Sequence, residues 1–347
     1  MLVTIAIPTF NRARCLDECL ASIFEAIRRA DAQGAVEVAV SDNASTDDTE
    51  SVAARYSQEG APFTYRRQPE NVGCHRNYRA AAELGRGRFV WIVGDDDRLS
   101  PAAVRHVLAA LRGGSDAVIS NVSVHSHDFQ RVIKSHFIGI PHTVKFHDSN
   151  HLMATLGIHV GFISATVIDR ERFLAVPYDD YMKYDLDGTC FMHAAYRVLQ
   201  SCTDITFIGD PVVFNRAPGL GELIPDEGRR ASSNEEHEEA EWVRFFAEGF
   251  PKTLRELGRY GYSRRATQRA TTRLLLDYIL PHLYYLRYTG RRVAALRTGY
   301  CRQTATVFST WAVFLPLSFL PMWVLRPVHD IGKLLKRASS KSWRSAF

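Results

Sequence analysis

Short apolar runs alternate with helical patterns over the first 120 residues, and this alternation restricts the fold more than any other feature. Between the runs lie segments with apolar residues at helical spacing, such as Leu16–Arg29. A strand–helix alternation of this kind predicts an α/β fold, with a mainly parallel sheet covered by helices on both faces. The predicted strands are Val3–Ile7, Val36–Val40, Phe63–Arg66, Phe89–Val93 and Ala117–Ile119.

Polar side chains follow three of these strands at the point where each strand ends. Thr9 and Asn11 come after the first strand, Asp42 after the second, and Asp95–Asp97 after the fourth. Ligands of open α/β sheets bind beyond the carboxyl ends of the strands. We therefore expect these side chains to line one binding site.

The three adjacent aspartates, Asp95–Asp97, are the strongest indication of chemistry. Neighbouring carboxylates repel one another and raise each other's pKa, and a hard cation relieves that cost. Mg²⁺ or Mn²⁺ uses one or two protein carboxylates and fills its remaining positions with water and substrate phosphates. The alternative interpretation is a solvated acidic turn.

Asp42 lies in a polar segment that runs to Asp47. A carboxylate at a strand end can accept hydrogen bonds from a nucleobase N–H or from ribose hydroxyls. The alternative is helix capping in this segment by Ser45 or Asp47.

Residues 3–101 resemble the N-terminal half of family 2 glycosyltransferases, which have the GT-A fold. Four motifs occur in the family's order, and together they are far more specific than an isolated Asp-x-Asp. They are Val3–Arg12, Ser41–Asp47, Asn71–Gly73 with Arg76–Asn77, and Gly85–Gly87 leading into Phe89–Ile92.

The resemblance implies a nucleoside-diphosphate sugar as donor and Mn²⁺ or Mg²⁺ as cofactor. It places Thr9 and Asp42 against the nucleobase or ribose, and the aspartates against the metal-diphosphate. The donor-site residues that it implies are Pro8, Thr9, Asn11, Arg12, Asp42, Asn71, Gly73, Asn77, Asp95 and Asp96.

One position departs from the family pattern. The family often has Asp-x-Asp-Asp, and counting back from Leu99 puts Gly94 where the first of those aspartates would stand. In that frame Asp96, with Asp97, is the predicted metal ligand. If the frame shifts by one residue, Asp95 and Asp97 form the Asp-x-Asp. The Gly-Asp-Asp-Asp form, together with Gly161–Ser164, resembles the abequosyltransferase-like subset.

An inverting transfer needs a general base that takes the proton from the acceptor hydroxyl. The family usually places an acidic residue at a helix start in the second half of the domain, which here implies Asp185 or Asp187. For Asp187 the alternative is capping of a helix predicted from Thr189. His159 and His193 are weaker candidates for the acceptor cleft, since a lone histidine is more often a core or surface residue.

The C-terminal part of the chain has a different charge from the rest. Residues 242–347 carry a formal charge of +15, whereas the preceding residues carry −10. Thr304–Leu325 holds no charged residue and includes Pro316 and Pro321. A broken, basic, aromatic segment of this kind favours an interfacial position on an anionic membrane over a span. The alternative is a helical hairpin that packs on the catalytic domain or on a second subunit of a homo-oligomer. Nucleic acid is not an expected partner.

These observations predict three regions: a GT-A domain over 1–218, a polar linker over 219–241, and a helical, basic, membrane-associating region over 242–347. The expected function is metal-dependent, inverting transfer of a sugar to a glycan or lipid-linked acceptor in cell-surface polysaccharide or O-antigen type assembly. The expected location is the cytoplasmic face of the membrane, peripheral or monotopic. The alternatives are a sugar nucleotidyltransferase, which the glycine-free loop Pro8–Arg12 disfavours, and a non-catalytic assembly protein.

Overall fold

The first strand, β1 (Val3–Thr9), lies inside a ten-stranded sheet in a computed structural model that describes residues 1–217, 243–288, 293–307 and 309–320. The sheet has the order β3-β2-β1-β4-β9-β6-β10-β5, with β7 beside β6 and β8 beside β10. The other strands are β2 (Val36–Asp42), β3 (Phe63–Arg67), β4 (Phe89–Ile92), β5 (Arg98–Leu99), β6 (Ala117–His125), β7 (Val132–Lys134), β8 (Val144–Phe146), β9 (Thr166–Asp169) and β10 (Ile205–Arg216).

Strands β3, β2, β1 and β4 are parallel, as are β6 and β10. Strand β9 separates these two groups and runs antiparallel to both β4 and β6. The carboxyl ends of β1, β2 and β4 therefore meet at one edge of the sheet, which is where a ligand site forms in such folds. The predicted mainly parallel α/β architecture is confirmed.

Helices cover both faces of the sheet. Eight α-helices lie within the first 217 residues: α1 (Ala13–Arg29), α2 (Thr49–Tyr56), α3 (Cys74–Leu84), α4 (Ala103–Arg112), α5 (Ser149–Leu156), α6 (Arg170–Leu174), α7 (Tyr178–Met182) and α8 (Cys190–Leu199). The described residues after 242 add α9 (Phe250–Glu256), α10 (Arg264–Leu274), α11 (Leu280–Tyr288), α12 (Ala294–Thr304) and α13 (Leu315–Leu317). Short π-helical turns occur at Val243–Gly249, Leu275–Ile279 and Thr310–Phe314, and 3-10 turns at Gly157–Gly161, Ile163–Ala165 and Leu257–Tyr260.

The alternation of side chains along the strands divides the interior into two cores. Ile5 and Trp91 belong to the core formed with α1 and α4, whereas Ala6, Val90 and Ile92 belong to the core formed with α3 and α8. Successive residues of a strand point to opposite faces of its sheet. Both faces are apolar here, which explains why the strands read as continuous apolar runs.

The described C-terminal helices pack against the second of these cores. Leu254, Leu274 and Phe314 share one apolar cluster with Ile92, and the hydroxyl of Tyr262 donates to the carbonyl of Tyr196 at 2.7 Å. In the described part of the C-terminal region, the helices thus pack on the N-terminal domain, which is the alternative to membrane association. The predicted linker 219–241 lies outside the described residues, as do residues 321–347, so the three-region division stays a prediction. None of the described helices combines the length and hydropathy that a bilayer span requires.

Three elements differ from the sequence pattern. The apolar runs Ile205–Ile208 and Val212–Phe214 are typical of two strands around a turn, but β10 continues through both with register shifts between Ile208 and Val213. The bulge absorbs Pro211 without ending the strand. The pattern of Gly161–Ile168 is typical of one strand, but β9 begins only at Thr166, after two 3-10 turns. The Ala-rich helical pattern starts at Asn77, but α3 begins at Cys74, directly after Gly73, whose φ of 88° suits glycine.

Candidate functional site

A cleft of about 670 Å³ opens at the carboxyl ends of β1 and β4. The start of α3, the turn at 162–164 and Asn215 of β10 complete its walls. The predicted site residues that line it are Pro8, Thr9, Arg12, Asn71, Gly73, Asn77, Asp95, Asp96 and Asp97. Four other predicted residues, Asn11, Asp42, Asp185 and Asp187, do not belong to its lining.

The β1 loop holds two of the three aspartates by direct contact. The hydroxyl of Thr9 donates to Asp95 Oδ2 at 2.7 Å. Arg12 Nη1 lies 3.1 Å from Asp95 Oδ1 and 3.0 Å from Asp96 Oδ2. A single guanidinium therefore bridges two carboxylates and offsets part of their mutual repulsion.

Asp97 is held from the opposite side of the cleft. Ser164 Oγ donates to Asp97 Oδ2 at 2.6 Å, and Asn215 Nδ2 donates to Asp97 Oδ1 at 2.9 Å. Ser164 Oγ also accepts the amide N–H of Gly94 at 2.9 Å. The turn at 162–164 is thereby fixed to the end of β4.

Burial changes the protonation of two of these carboxyls. It raises the pKa of Asp97 to about 7, with the charge of Asp96 adding to the effect. It also raises the pKa of Asp95 to about 6, although Arg12 and Thr9 partly oppose that shift. Both carboxyls lose most of their hydration in the folded protein, and the anionic form bears the cost.

The donor set suits a hard divalent cation. Asp96 is the most exposed of the three aspartates, with 40% of its side chain accessible against 7% for Asp95. Arg12 offsets only part of the charge of Asp95 and Asp96, because one guanidinium faces two carboxylates. Oxygen ligands of this kind match Mg²⁺ and Mn²⁺.

Asparagines build the wall that faces the β1 loop. Asn71 Oδ1 accepts from Asn43 Nδ2 at 2.8 Å and from the N–H of Gly73 at 2.9 Å. Asn77 Oδ1 accepts from Ser41 Oγ at 2.7 Å, and its amide group donates to the carbonyl of Ser41 at 3.0 Å. These bonds tie the end of β2 to the start of α3.

Asn11 and Asp42 lie outside the cleft lining and support the neighbouring loops through hydrogen bonds. Asn11, at a φ of 51°, accepts the N–H of Thr46 at 2.7 Å and so links the β1 and β2 loops. Asp42 is 1% exposed, and its two oxygens accept from the Tyr65 hydroxyl at 2.6 Å and the Ser45 N–H at 2.9 Å. Its predicted contact with the nucleobase or ribose stays a prediction.

Neither Ser45 nor Asp47 is the N-cap of a helix, since α1 and α2 have Arg12 and Asp48 at that position, but Asp47 binds the first residues of both helices. Its Oδ2 accepts from the N–H of Ala13, the first residue of α1, at 2.9 Å. Its Oδ1 accepts from the N–H of Thr49, the first residue of α2, at 3.2 Å. One side chain thus serves the starts of two helices.

The two candidate bases differ in their surroundings. Asp187 Oδ2 accepts from Lys252 Nζ at 2.6 Å, in an ion pair with α9. Helix α8 has Thr189 at its N-cap and no side-chain cap, so the interpretation of Asp187 as a helix cap is wrong. Asp185 is exposed in the turn before α8, and its charge contributes, after burial, to a raised pKa for the cleft residue Cys74. Asp185 therefore lies near the cleft rim.

His159 and His193 are core residues. This position is the alternative to a role in the acceptor cleft. Both are buried, and burial lowers their pKa values to about 3 and about 4. His159 packs against Phe137 with ring centroids 5.5 Å apart, and His193 against Tyr184 at 4.4 Å.

Several cleft residues were not predicted as site residues. Ser164 was noted only within the motif Gly161–Ser164. The sequence around Asn215 does not indicate a role in the site, because Asn215 binds Asp97 across 118 residues of the chain. The other unpredicted lining residues are Phe10, Asn43, Cys74, Tyr78, Phe162 and Ile163.

Comparison with known proteins agrees with this geometry. The family model described as "Glycosyl transferase family 2" matches residues 4–173. This part of the chain is a family 2 glycosyltransferase domain. The match ends shortly after β9, so it includes the aspartates and Ser164 but not Asn215 or α8.

Two curated relatives and one solved structure give the wider context of this glycosyltransferase domain. Abequosyltransferase RfbV of Salmonella typhimurium is 27% identical over 52% of this chain and 56% of its own length. An uncharacterized protein of Mycobacterium tuberculosis is 32% identical over 30% of this chain and 30% of its own length. The crystal structure of S. aureus TarS has a TM-score of 0.55 and 14% identity, covering 98% of this chain and 54% of that chain. The chain thus spans about half or less of the relatives that it matches.

The raised pKa values predict how stability depends on pH. The pKa of Asp97 is about 7 in the folded protein against an ordinary 3.8, so the folded state binds the proton more tightly than the unfolded state. The free energy of unfolding of the metal-free protein should therefore fall as the pH rises from about 4 to about 7. Asp97→Asn removes this titration. The melting temperature of Asp97→Asn minus that of the wild type should therefore increase steadily from a pH of about 4 to a pH of about 7.

The charge-matched control is Asp210→Asn, at an exposed position on β10 outside the cleft. Its melting temperature relative to the wild type should stay constant over the same pH range. An equally flat difference for Asp97→Asn would contradict the assignment.

Proposed function

We propose that the protein transfers a sugar from a nucleoside-diphosphate sugar to a glycan or lipid-linked acceptor in cell-surface polysaccharide or O-antigen type assembly. The observation that carries this proposal is the cleft of a family 2 domain in which Thr9, Arg12 and the three aspartates converge. Transfer with inversion, dependent on Mn²⁺ or Mg²⁺, is part of the proposal. The similarity to an abequosyltransferase over about half of the chain supports it.

Different residues of the cleft would hold the cation, the diphosphate and the nucleoside. Asp96 and Asp97 would hold the divalent cation, which supplies charge neutralisation for a diphosphate leaving group. Arg12, 53% exposed and at the cleft surface, is placed to pair with phosphate oxygens. Asn71 and Asn77, fixed by their own hydrogen bonds, would present preorganised polar groups to the nucleoside.

Asp96→Asn tests the metal assignment. The change keeps the size of the side chain but removes the charge that holds the cation. We expect sugar transfer or donor hydrolysis to fall by more than about 100-fold, and metal-dependent binding of a nucleoside diphosphate, measured by calorimetry, to weaken in parallel. The control is again Asp210→Asn, which should keep wild-type activity. Full activity of Asp96→Asn across a screen of nucleotide sugars would contradict the assignment.

For the general base we propose Asp185, since Asp187 is already paired with Lys252. Asp185→Asn should lower kcat by about 10²–10⁴-fold, because the acceptor proton loses its recipient. Donor affinity should stay unchanged, since Asp185 lies outside the donor cleft lining. The measurement is transfer kinetics combined with donor calorimetry.

Asp187→Asn is the matched comparison for the base. It removes the ion pair with Lys252. We therefore expect a lower melting temperature and a kcat close to that of the wild type. If Asp187→Asn abolishes transfer while Asp185→Asn does not, the assignment of the base reverses.

For location we propose the cytoplasmic face of the membrane, reached through the basic C-terminal region. The support is the charge of +15 on residues 242–347 and the uncharged run Thr304–Leu325. Removal of residues 321–347 would delete six basic residues and one acidic residue. A cut after Leu320 leaves in place the buried Phe314, whose ring lies 4.8 Å from that of Tyr300.

The full chain should sediment with vesicles rich in anionic lipid, and the chain ending at Leu320 should bind at least about tenfold more weakly. Each basic residue near an anionic surface contributes about 1 kcal/mol, which high salt screens. Vesicles of zwitterionic lipid are the control and should bind both chains weakly. Equal binding of the two chains to anionic vesicles would exclude residues 321–347 as the membrane contact.

A further inference from the structure

A second group of metal-ligating side chains lies beside the cleft, apart from the aspartates. His75, Asp185 and Cys190 each offer a ligand atom, and these atoms all lie within 4.8 Å of one another. They come from two distant parts of the chain: the first turn of α3, and the segment from the turn before α8 to the first residue of α8. Such a convergence of three unlike donors depends on the tertiary fold.

The polar atoms of this cluster are poorly satisfied within the described residues. His75 is 9% exposed, and its Nδ1 is buried without a hydrogen-bond partner. Leaving a buried polar nitrogen unpaired destabilises the folded protein, so its presence calls for an explanation. The carboxylate of Asp185 is exposed to solvent and is therefore available to a ligand.

The backbone around the cluster is well fixed. The hydroxyl of Tyr181 donates to the carbonyl of His75 at 3.0 Å, which anchors the start of α3. The N–H of Gly188 donates to the carbonyl of Asp185 at 3.1 Å, with Gly188 at a φ of 68°. A Cβ on Gly188 would lie 2.8 Å from the ring of Phe245. The turn that presents Asp185 is therefore held between α8 and the C-terminal helices.

We infer that His75, Asp185 and Cys190 form a binding site for a thiophilic divalent cation of the Zn²⁺ class. Imidazole nitrogen, thiolate sulfur and carboxylate oxygen are the protein ligands of Zn²⁺, and three protein ligands leave a fourth position for water or a further side chain. The exposed Cys74, adjacent to His75 in the chain, is a second thiol at the cleft side of the cluster.

A modest side-chain movement closes this site around an ion. Zinc–ligand bonds are about 2.0–2.3 Å long, so the ligand atoms of a bound tetrahedral site lie closer together than the present spread. Cys190 is buried and His75 nearly so, whereas Asp185 is exposed and free to rotate. The exposed Asp185 side also provides the route by which an ion enters.

The two cation sites differ in the metal that they favour. The aspartates Asp95–Asp97 offer only oxygen, which suits Mg²⁺ and Mn²⁺, whereas a thiolate selects softer ions. The observations that support this second site do not rest on the proposed sugar transfer. The site does include the proposed base, so an ion bound there would withdraw Asp185 from the acceptor.

Cobalt is the probe for this site. Metal-free full-length protein is titrated with Co²⁺ in saturating Mg²⁺, so that the aspartates are occupied by the harder ion. One equivalent of Co²⁺ should produce a thiolate-to-cobalt charge-transfer absorption in the near ultraviolet and the intense visible bands of a four-coordinate ion. One equivalent of Zn²⁺ should abolish both absorptions, because these ligands bind Zn²⁺ more tightly than Co²⁺.

Cys190→Ser should eliminate the charge-transfer band, and His75→Gln should weaken Co²⁺ binding by at least about tenfold. The matched control is Cys202→Ser, which alters another buried free thiol just beyond α8 and should leave the spectrum unchanged. Thermal melting without metal establishes that each variant is folded. Absence of the band in the wild type, or its persistence in Cys190→Ser with unchanged affinity in His75→Gln, would overturn the inference.

Discussion

The burial of negative charge at the end of β4 is the constraint on which the rest of the site depends. Asp95 is 5% exposed and Asp97 3% exposed, and each keeps its place through partners from elsewhere in the chain. Thr9 and Arg12 approach from β1, whereas Ser164 and Asn215 approach from the opposite side. The carboxylates are therefore stable only when β1, the turn before β9 and β10 are all assembled.

The part of the site that precedes β4 could be predicted from the sequence, because it follows from a local rule. Strands β1, β2 and β4 are parallel neighbours, and the residues after them must meet at one edge. Thr9 accordingly lines the cleft with the aspartates, whereas Asn71 and Asn77, before and within α3, were implied by the family resemblance alone. Asp42 obeys the same rule, yet Tyr65 of β3 takes one of its oxygens. A pattern along one strand does not reveal a partner from the neighbouring strand.

The rest of the site depends on pairings between distant segments. Asn215 reaches Asp97 because β10 pairs in parallel with β6. The register shifts in this pairing cannot be predicted from the sequence pattern. Asp187 lies where a helix cap was expected, but Lys252 of α9 holds its carboxylate instead. Likewise, His159 and His193 became core residues because aromatic rings from other elements surround them. Each outcome was decided by tertiary contacts at long sequence separation.

Arg12 connects the charge balance of the cleft to ligand binding. Its guanidinium pairs with Asp95 and Asp96 at once, so a cation that approaches Asp96 meets a carboxylate that already has a counter-ion. Adding a divalent cation alone would place two positive groups side by side, at an electrostatic cost in this partly buried setting. An arriving diphosphate offers Arg12 a new anionic partner and offers the cation further oxygen ligands. Under the proposed function, a diphosphate would therefore lie between Arg12 and the cation, and each of them would offset part of its charge.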